Sequence, residues 1–363
     1  MEITALFTYI FVPLYIGVVI YIANQVDLER TMHVKVKESD HTLRQRTTLV
    51  RLMLYGLISM LFVMGFILLQ AMLLGPSFKD LDVDIPEIDL TAGVSGFAVA
   101  VVGGFVCLRI VRSESTRAFI RRILGIGDLF DPNSVVHLVA IVLLLWYVCV
   151  SFVLLVMAGG VVGLAQSIAV AEISAGELVF QGALLVALAV LGVGMLIRRS
   201  PLQTLERLAL KLPSIGEIII GGAAGIGLII VASFLIQIWG SLVTPEQFAE
   251  QSAAANEIGK QITSLGLAFV LATSAAVSEE ILFRGALQPV LGVPLTALFF
   301  TLFHNQYSFT PAAIIIFVVG LALGLLRKRY STSVAIIVHF TYDFLPFFLL
   351  FMMPNVAERM GIS

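Results

Sequence analysis

Ten apolar stretches follow one another along this chain, with only short polar connections between them. Apolar runs bounded by charged residues, Pro or Gly lie at about 3–23, 52–75, 91–111, 135–158, 178–197, 215–239, 262–288, 291–308, 311–326 and 333–353. A helix that crosses a bilayer needs about 20 mostly apolar residues. Only 13% of the 363 residues are charged, so too little polar surface remains to solvate a globule. The sequence therefore predicts an all-α polytopic membrane protein with about ten transmembrane helices, and it excludes a water-soluble enzyme.

The lysines and arginines favour one orientation of these spans. With the N-terminus outside, all 22 basic residues except Lys79, Lys260 and Arg359 fall in inner loops or at inner helix ends. Because inner loops are enriched in Lys and Arg, we predict an N-out, C-out topology. The stretch 3–23 lacks the basic leader and cleavage site of a signal peptide, so we expect it to be a span.

Net charge and cysteine content exclude other classes of protein. The formal charge of −2 removes the electrostatic basis for nucleic-acid binding. Cys107 and Cys149 both lie in apolar surroundings, so neither a disulfide framework nor a cysteine-based zinc site is supported.

Pairs of glycines four residues apart indicate where helices are able to approach closely. They occur at Gly159/Gly163, Gly221/Gly225 and Gly320/Gly324. Such pairs also arise by chance in a glycine-rich membrane chain, so they predict packing only weakly.

Five ionisable residues fall inside the last apolar stretches: Glu279, Glu280, His304, His339 and Asp343. A charged side chain in the centre of a bilayer costs at least about 2.5 to 3.5 kcal/mol, so these residues should face one another or a wet cavity. We therefore expect one polar catalytic cavity in the C-terminal bundle. The alternative is a polar network that only holds helices together.

Helical spacing separates two groups within this set. Glu280 precedes Arg284 by four residues, which predicts a structural ion pair on one helix face. Glu279 is turned by about 100° from Glu280 and is able to point elsewhere. Asp343 follows His339 by four residues, where a carboxylate orients the imidazole.

The residue types suit hydrolysis of a peptide bond. That reaction requires a base that activates water and a donor that stabilises the oxyanion. Glu279 is the candidate base, with His304 as a second partner of the water. His339 is the candidate oxyanion donor.

Three short motifs in this order resemble the CAAX protease and bacteriocin-processing family (CPBP, or Abi) of intramembrane endopeptidases, which includes the type II CAAX prenyl endopeptidases. The motifs are Glu279-Glu280-xxx-Arg284, Phe300-xxx-His304 and His339-xxx-Asp343. The resemblance covers about residues 215–350.

The resemblance implies a role for each matching position. Glu279 and His304 would activate the water, and His339 and Asp343 would form the oxyanion side. Glu280 and Arg284, the remaining pair, would shape the site. The family has Asn or Asp where this chain has Asp343. Because an ionised Asp cannot stabilise an oxyanion, we expect Asp343 to orient His339.

A metal is an open alternative for the same residues. Glu279, His304 and His339 match the ligand types of a catalytic zinc site. The sequence contains no His-Glu-x-x-His helix, however, and a Glu/His pair is able to activate water alone. We therefore favour a metal-free mechanism and retain Zn²⁺ as the alternative.

The motifs also divide the chain. Residues 215–353 form the predicted CPBP-like protease domain, and residues 1–200 form an accessory transmembrane region of about five helices without a motif. The expected partners are a lipid bilayer and a peptide or membrane-anchored protein substrate, and no nucleic acid. We expect a prokaryotic cytoplasmic membrane. The oligomeric state is not predicted by the sequence.

Two other functions use the same residues. A catalytically idle member of the family would act as a scaffold or immunity protein by binding. A proton-coupled transporter would use the carboxylates and histidines as a relay, but it predicts paired broken helices in two related halves, and the sequence shows no such repeat.

Overall fold

The computed structural model describes residues 10–33, 40–78, 88–124, 130–307 and 310–353, and regular structure within these ranges is helical. The α-helices are α1 (Val12–His33), α2 (Asp40–Phe78), α3 (Leu90–Arg112), α4 (Glu114–Leu124), α5 (Val135–Met157), α6 (Gly160–Val170), α7 (Ala175–Gly192), α8 (Pro201–Arg207), α9 (Ile215–Leu242), α10 (Pro245–Gln261), α11 (Leu265–Glu279), α12 (Gln288–Leu291), α13 (Val293–Phe303), α14 (Ala312–Arg329) and α15 (Thr332–Met352). The prediction of an all-α membrane protein is confirmed.

Within the described residues, seven segments are long and apolar enough to cross a bilayer. They are His41–Leu73, Leu90–Arg112, Val135–Met157, Ala175–Gly192, Ile215–Leu242, Leu265–Leu291 and Thr332–Met352. The other three predicted spans correspond to α1, to the short helix α13 and to α14, which ends in three basic residues. Ten crossings and the N-out, C-out topology therefore stay predictions. Residues 3–9 of the first span, and Lys79 and Arg359, lie outside the described residues.

The predicted span 262–288 corresponds to the apolar segment Leu265–Leu291, whose helix is not regular throughout. After α11, residues Glu280–Leu287 form a π-helix, and α12 follows. Pro289 has no N–H, so it cannot donate to the carbonyl of Gly285 four residues earlier. The Arg207 side chain in α8 supplies donors instead, at 3.0 Å from Gly285 O and 3.3 Å from Ala286 O. The junction of α11 and this π-helix carries the two candidate glutamates, Glu279 and Glu280.

Arg284 does not occupy the inner helix end to which its charge assigned it. It lies in the middle of the π-helix and is fully buried. The positive-inside argument therefore loses one of its basic residues, because a buried arginine carries no information about loops.

The helix within the predicted span 291–308 is shorter than the span, and the crossing itself stays a prediction. α13 ends at Phe303, and His304 takes φ −90° and ψ 67°, outside the helical region. A 3₁₀ turn at Asn305–Tyr307 follows. His304 is thus presented at the end of a helix rather than on its side.

Two of the three glycine pairs lie at close helix contacts. A Cβ on Gly221 or Gly225 of α9 would approach Ile337 or Thr341 of α15 to less than 3 Å. Gly320 and Gly324 of α14 likewise face α13. Gly159 and Gly163 instead lie at the turn before α6 and in its first residues, where Gly159 is the N-cap residue with φ 86°. The close α9–α15 contact fixes the helix that carries His339.

The first region packs directly against the second. Ser274 of α11 donates to the carbonyl of Leu178 in α7 at 2.6 Å. Within the first region, Asp27 of α1 is buried and accepts from the backbone N–H groups of Val135 and Val136. It therefore caps the N-terminus of α5. The described helices of the predicted accessory region therefore support those of the predicted protease domain.

Candidate active site

Glu279 and His304 face each other across a short gap. Glu279 is the last residue of α11, and its Oε2 lies 3.7 Å from Nε2 of His304. That distance exceeds a direct hydrogen bond. Among the described residues, Glu279 Oε2 is buried with no hydrogen-bond partner. Two polar atoms at this separation are able to share a bridging water molecule.

The other ring nitrogen of His304 fixes its neutral tautomer. Nδ1 lies 2.7 Å from the carbonyl oxygen of Phe300, and a carbonyl only accepts, so Nδ1 carries the proton. In the neutral imidazole, Nε2 then presents a lone pair toward the carboxylate of Glu279. Two acceptors that face each other are able to share a water that donates one hydrogen to each. The lone pairs of such a water would remain free to attack an electrophile.

A second set of charges runs from the π-helix to α15. The four side chains alternate in sign in the order Arg284, Glu280, His339 and Asp343. Glu280 Oε2 lies 3.2 Å from Arg284 Nε, and Glu280 Oε1 lies 3.0 Å from His339 Nδ1. Asp343 Oδ2 lies 3.3 Å from His339 Nε2. The imidazolium form of His339 satisfies both carboxylates, and the four charges then sum to zero.

Phe300 connects the two sets. Its ring centroid lies 4.6 Å from that of His304 and 6.0 Å from that of His339. The Arg284 guanidinium carbon lies 4.5 Å from the same centroid, in a cation–π contact. No hydrogen bond joins the two sets within the described residues. The buried Phe300 ring therefore fixes their spacing.

The sequence predicted several of these contacts. The Glu280–Arg284 ion pair is present, the His339–Asp343 contact is present, and Glu279 points away from Glu280 toward His304. The contact between Glu280 and His339 was missed. It shows that Glu280 holds the more buried side of the imidazole, while Asp343 holds the other nitrogen.

Sequence reasoning also missed three tyrosines. Tyr147 of α5 stacks on Phe303 and interacts electrostatically with Glu279. Tyr307 and Tyr342 interact with the carboxylate of Asp343. A tyrosine inside an apolar span is a weak signal, since most such residues serve packing or the membrane interface.

The three candidate zinc ligands do not form a metal site in this arrangement. No group of three or more His, Cys, Asp or Glu side chains in the described ranges is placed to hold a metal ion. Both ring nitrogens of His339 already contact carboxylates, so His339 cannot complete a set with Glu279 and His304.

Comparison with known proteins adds one finding. A family model described as type II CAAX prenyl endopeptidase Rce1-like matches residues 261–345. This segment is shorter than the expected 215–350, but it includes all six candidate site residues. Neither a curated protein nor a solved structure matches the chain. The family match points to a protease, and it confirms over residues 261–345 the resemblance to the type II CAAX prenyl endopeptidases that the three motifs indicated.

Proposed function

We propose that this protein is an intramembrane endopeptidase that hydrolyses a peptide bond in a peptide or membrane-anchored protein. The observation that carries the proposal is the pair of acceptors, Glu279 Oε2 and His304 Nε2, that face each other at 3.7 Å. A structural network would join these side chains directly to donors. Two opposed acceptors instead favour a bound, activated water.

Glu279 is the proposed general base. It takes one proton from the water as the water oxygen attacks the scissile carbonyl carbon, and His304 holds the second hydrogen. The C–N bond of the tetrahedral intermediate then breaks, and Glu279 returns its proton to the leaving nitrogen. Water and the peptide bond are consumed, and a carboxylic acid and an amine are formed.

His339 is the proposed oxyanion donor. Its Nδ1 is held by the fully buried Glu280, whereas its Nε2 contacts the partly exposed Asp343 at 3.3 Å. The substrate carbonyl oxygen therefore takes the place of Asp343 on Nε2–H as negative charge develops. The positive imidazolium, backed by Glu280, stabilises that charge.

No step in this mechanism is assigned to a metal. If Glu279 and His304 alone organise the water, treatment with a chelator leaves turnover of the purified enzyme unchanged. A chelator-sensitive activity that is restored by Zn²⁺ would contradict this part of the proposal.

The proposal places the reaction in the membrane. The site lies where α11, the π-helix, α13 and α15 meet, and α11 and α15 belong to segments able to cross a bilayer. We propose a prokaryotic cytoplasmic membrane as its location. The division into an accessory region (1–200) and a protease domain (215–353) is also part of this proposal.

The test is a proteomic comparison of membranes from cells that carry wild-type or Glu279→Gln protein. The amide cannot accept the proton, so we expect turnover to fall by about 10²- to 10⁴-fold while substrate stays bound. Glu250→Gln, the same substitution at an exposed residue of α10, is the matched control. A scaffold or immunity protein would keep its phenotype with Gln at position 279. A transporter would lose proton-coupled flux without any change in peptide ends.

A further inference from the structure

Four arginines surround the C-terminal end of the π-helix, away from Glu279. We call them the arginine cluster: Arg198, Arg199, Arg207 and Arg327. Arg207 is anchored there by its bonds to the carbonyls of Gly285 and Ala286. The cluster lies outside the catalytic residues, and the proposed proteolysis does not use it.

The other members reach this place from two further segments. Gln288 Nε2 donates to the carbonyl of Gly324 at 2.9 Å, and Arg327 lies one turn further along α14. The backbone N–H groups of Arg198 and Arg199 both donate to Gly194 O in the turn after α7. This turn follows α7, which packs against the π-helix. Three separate segments around the π-helix therefore carry these arginines.

Electrostatics support this convergence. Burial, followed by the positive charges of Arg199, Arg327 and Arg198, lowers the pKa of Arg207 to about 10. Arg207 thus stays cationic at neutral pH, and the three neighbouring charges act on it directly.

The cluster has too little negative charge of its own. Among the described residues, its one ion pair joins Arg198 to Asp27 at 3.8 Å. Asp27 is already occupied in capping α5, where it accepts from two backbone N–H groups and the Ser134 hydroxyl. The Nε atoms of Arg198 and Arg327 are buried without a hydrogen-bond partner in the described part of the chain. These two atoms are closed to an external ligand, but the partly exposed guanidinium groups carry positive charge that one distant carboxylate does not balance, so an external anion is expected there.

The surface beside the cluster suits an acyl chain. Exposed leucines lie in the same segments: Leu196, Leu202, Leu205, Leu212 and Leu325. These segments connect or end membrane helices, so the leucines are placed to enter the bilayer while the guanidinium groups remain at headgroup level.

We propose that the arginine cluster binds the phosphate of an anionic phospholipid. The planar fork of arginine matches phosphate oxygens, and basic pockets between membrane helices bind anionic headgroups. Free phosphate shares this chemistry, but the adjacent leucines favour the lipid.

The test is a titration of the full-length protein in neutral detergent, with bound lipid counted by native mass spectrometry. Phosphatidylglycerol is the probe, phosphatidylcholine is the zwitterionic control, and inorganic phosphate is the competitor. We expect Arg327→Gln and Arg198→Gln each to weaken phosphatidylglycerol binding about fivefold. Arg329→Gln removes the same charge from the same helix end at an exposed position and should leave binding unchanged.

Equal losses of phosphatidylglycerol binding in Arg327→Gln and Arg329→Gln would overturn the proposed site. They would show that the lipid responds to the surface charge of this helix end in general. Equal binding of phosphatidylcholine would also overturn the site. Displacement of the lipid by millimolar inorganic phosphate would overturn the assignment to a lipid. If Arg327→Gln fails to fold, Arg327→Lys keeps the charge without the planar fork and should still weaken binding.

Discussion

Tyr147 stacks on Phe303, with ring centroids 3.9 Å apart and 22° between the ring planes. Phe303 is the last residue of α13, and His304 follows it directly. Tyr147 belongs to α5, in the region that carries no recognisable motif. A side chain from the first half of the chain therefore helps to place the histidine of the water-activating pair.

Replacing Tyr147 tests this contact. An aromatic pair contributes about 0.5 to 1.5 kcal/mol, so Tyr147→Ala should lower kcat/KM by about two- to tenfold as His304 loses its support. Tyr147→Phe keeps the ring and removes only the hydroxyl, and it is the matched control. A peptidase assay that finds equal losses in both variants would assign the effect to the hydroxyl near Glu279 rather than to stacking.

The charges of Glu280 and Arg284 depend on each other, because both side chains are fully buried. Glu280→Gln leaves Arg284 and His339 with a single carboxylate, and we expect the free energy of unfolding to fall by about 3 to 5 kcal/mol. In the double variant Glu280→Gln/Arg284→Met the remaining charges balance again, so stability should partly return.

Thermal unfolding in detergent measures this recovery, and activity provides a second readout. Activity should stay low in the double variant, because the negative charge that supports the His339 imidazolium at its Nδ1 atom is gone. A double variant that is less stable than either single variant would contradict the charge-balance argument.

Contacts between residues at helical spacing were predictable from the sequence. The pairs Glu280–Arg284 and His339–Asp343 lie four residues apart, and residues at that spacing share a helix face. The contact between Glu280 and His339 joins residues 59 positions apart, and no local pattern encodes it. The same holds for Tyr147 and Phe303.

Irregular backbone was the second source of error. The apolar pattern over 262–288 gave no sign of the π-helix, because Pro289 acts on Gly285 and the compensating donor, Arg207, lies far away in sequence. α1 extends to His33, beyond the predicted end at 23, and its buried Asp27 accepts hydrogen bonds from the N-terminus of α5. In both cases a tertiary contact accompanies the departure from the local signal.

Asp343→Asn tests the role of the carboxylate beside the oxyanion donor. The amide oxygen still accepts from His339 Nε2–H, but the negative charge next to the developing oxyanion is gone. We therefore expect kcat to equal or exceed that of the wild type. Asp343→Ala, which removes the acceptor as well, should lower kcat. A strong loss of kcat in the Asn variant would show that the negative charge itself is required.

Arg207 and Pro289 should show coupled effects on stability. Arg207→Met leaves the carbonyls of Gly285 and Ala286 without their donor and should cost about 1 to 3 kcal/mol. Pro289→Ala restores an N–H that is able to donate to Gly285 O. The cost of Arg207→Met should therefore be smaller in the Pro289→Ala background, as measured by a double-mutant cycle of thermal unfolding. Additive effects would contradict the compensation.

The close contact between α9 and α15 offers a comparison of identical substitutions on one helix. A Cβ on Gly225 would lie 2.6 Å from Thr341 Cβ and 2.8 Å from the carbonyl oxygen of Val338, whereas a Cβ on Gly222 meets nothing within 4 Å. Gly225→Ala must therefore push α15 away and should cost about 1 to 3 kcal/mol of stability. Because α15 carries His339, activity should fall together with stability.

Gly222→Ala is the matched control. It should be neutral or slightly stabilising, since alanine is the better helix former. Thermal unfolding and peptidase assays of the two variants test whether this helix contact holds the imidazole in place. Equal behaviour of the two would show that α9 does not position α15.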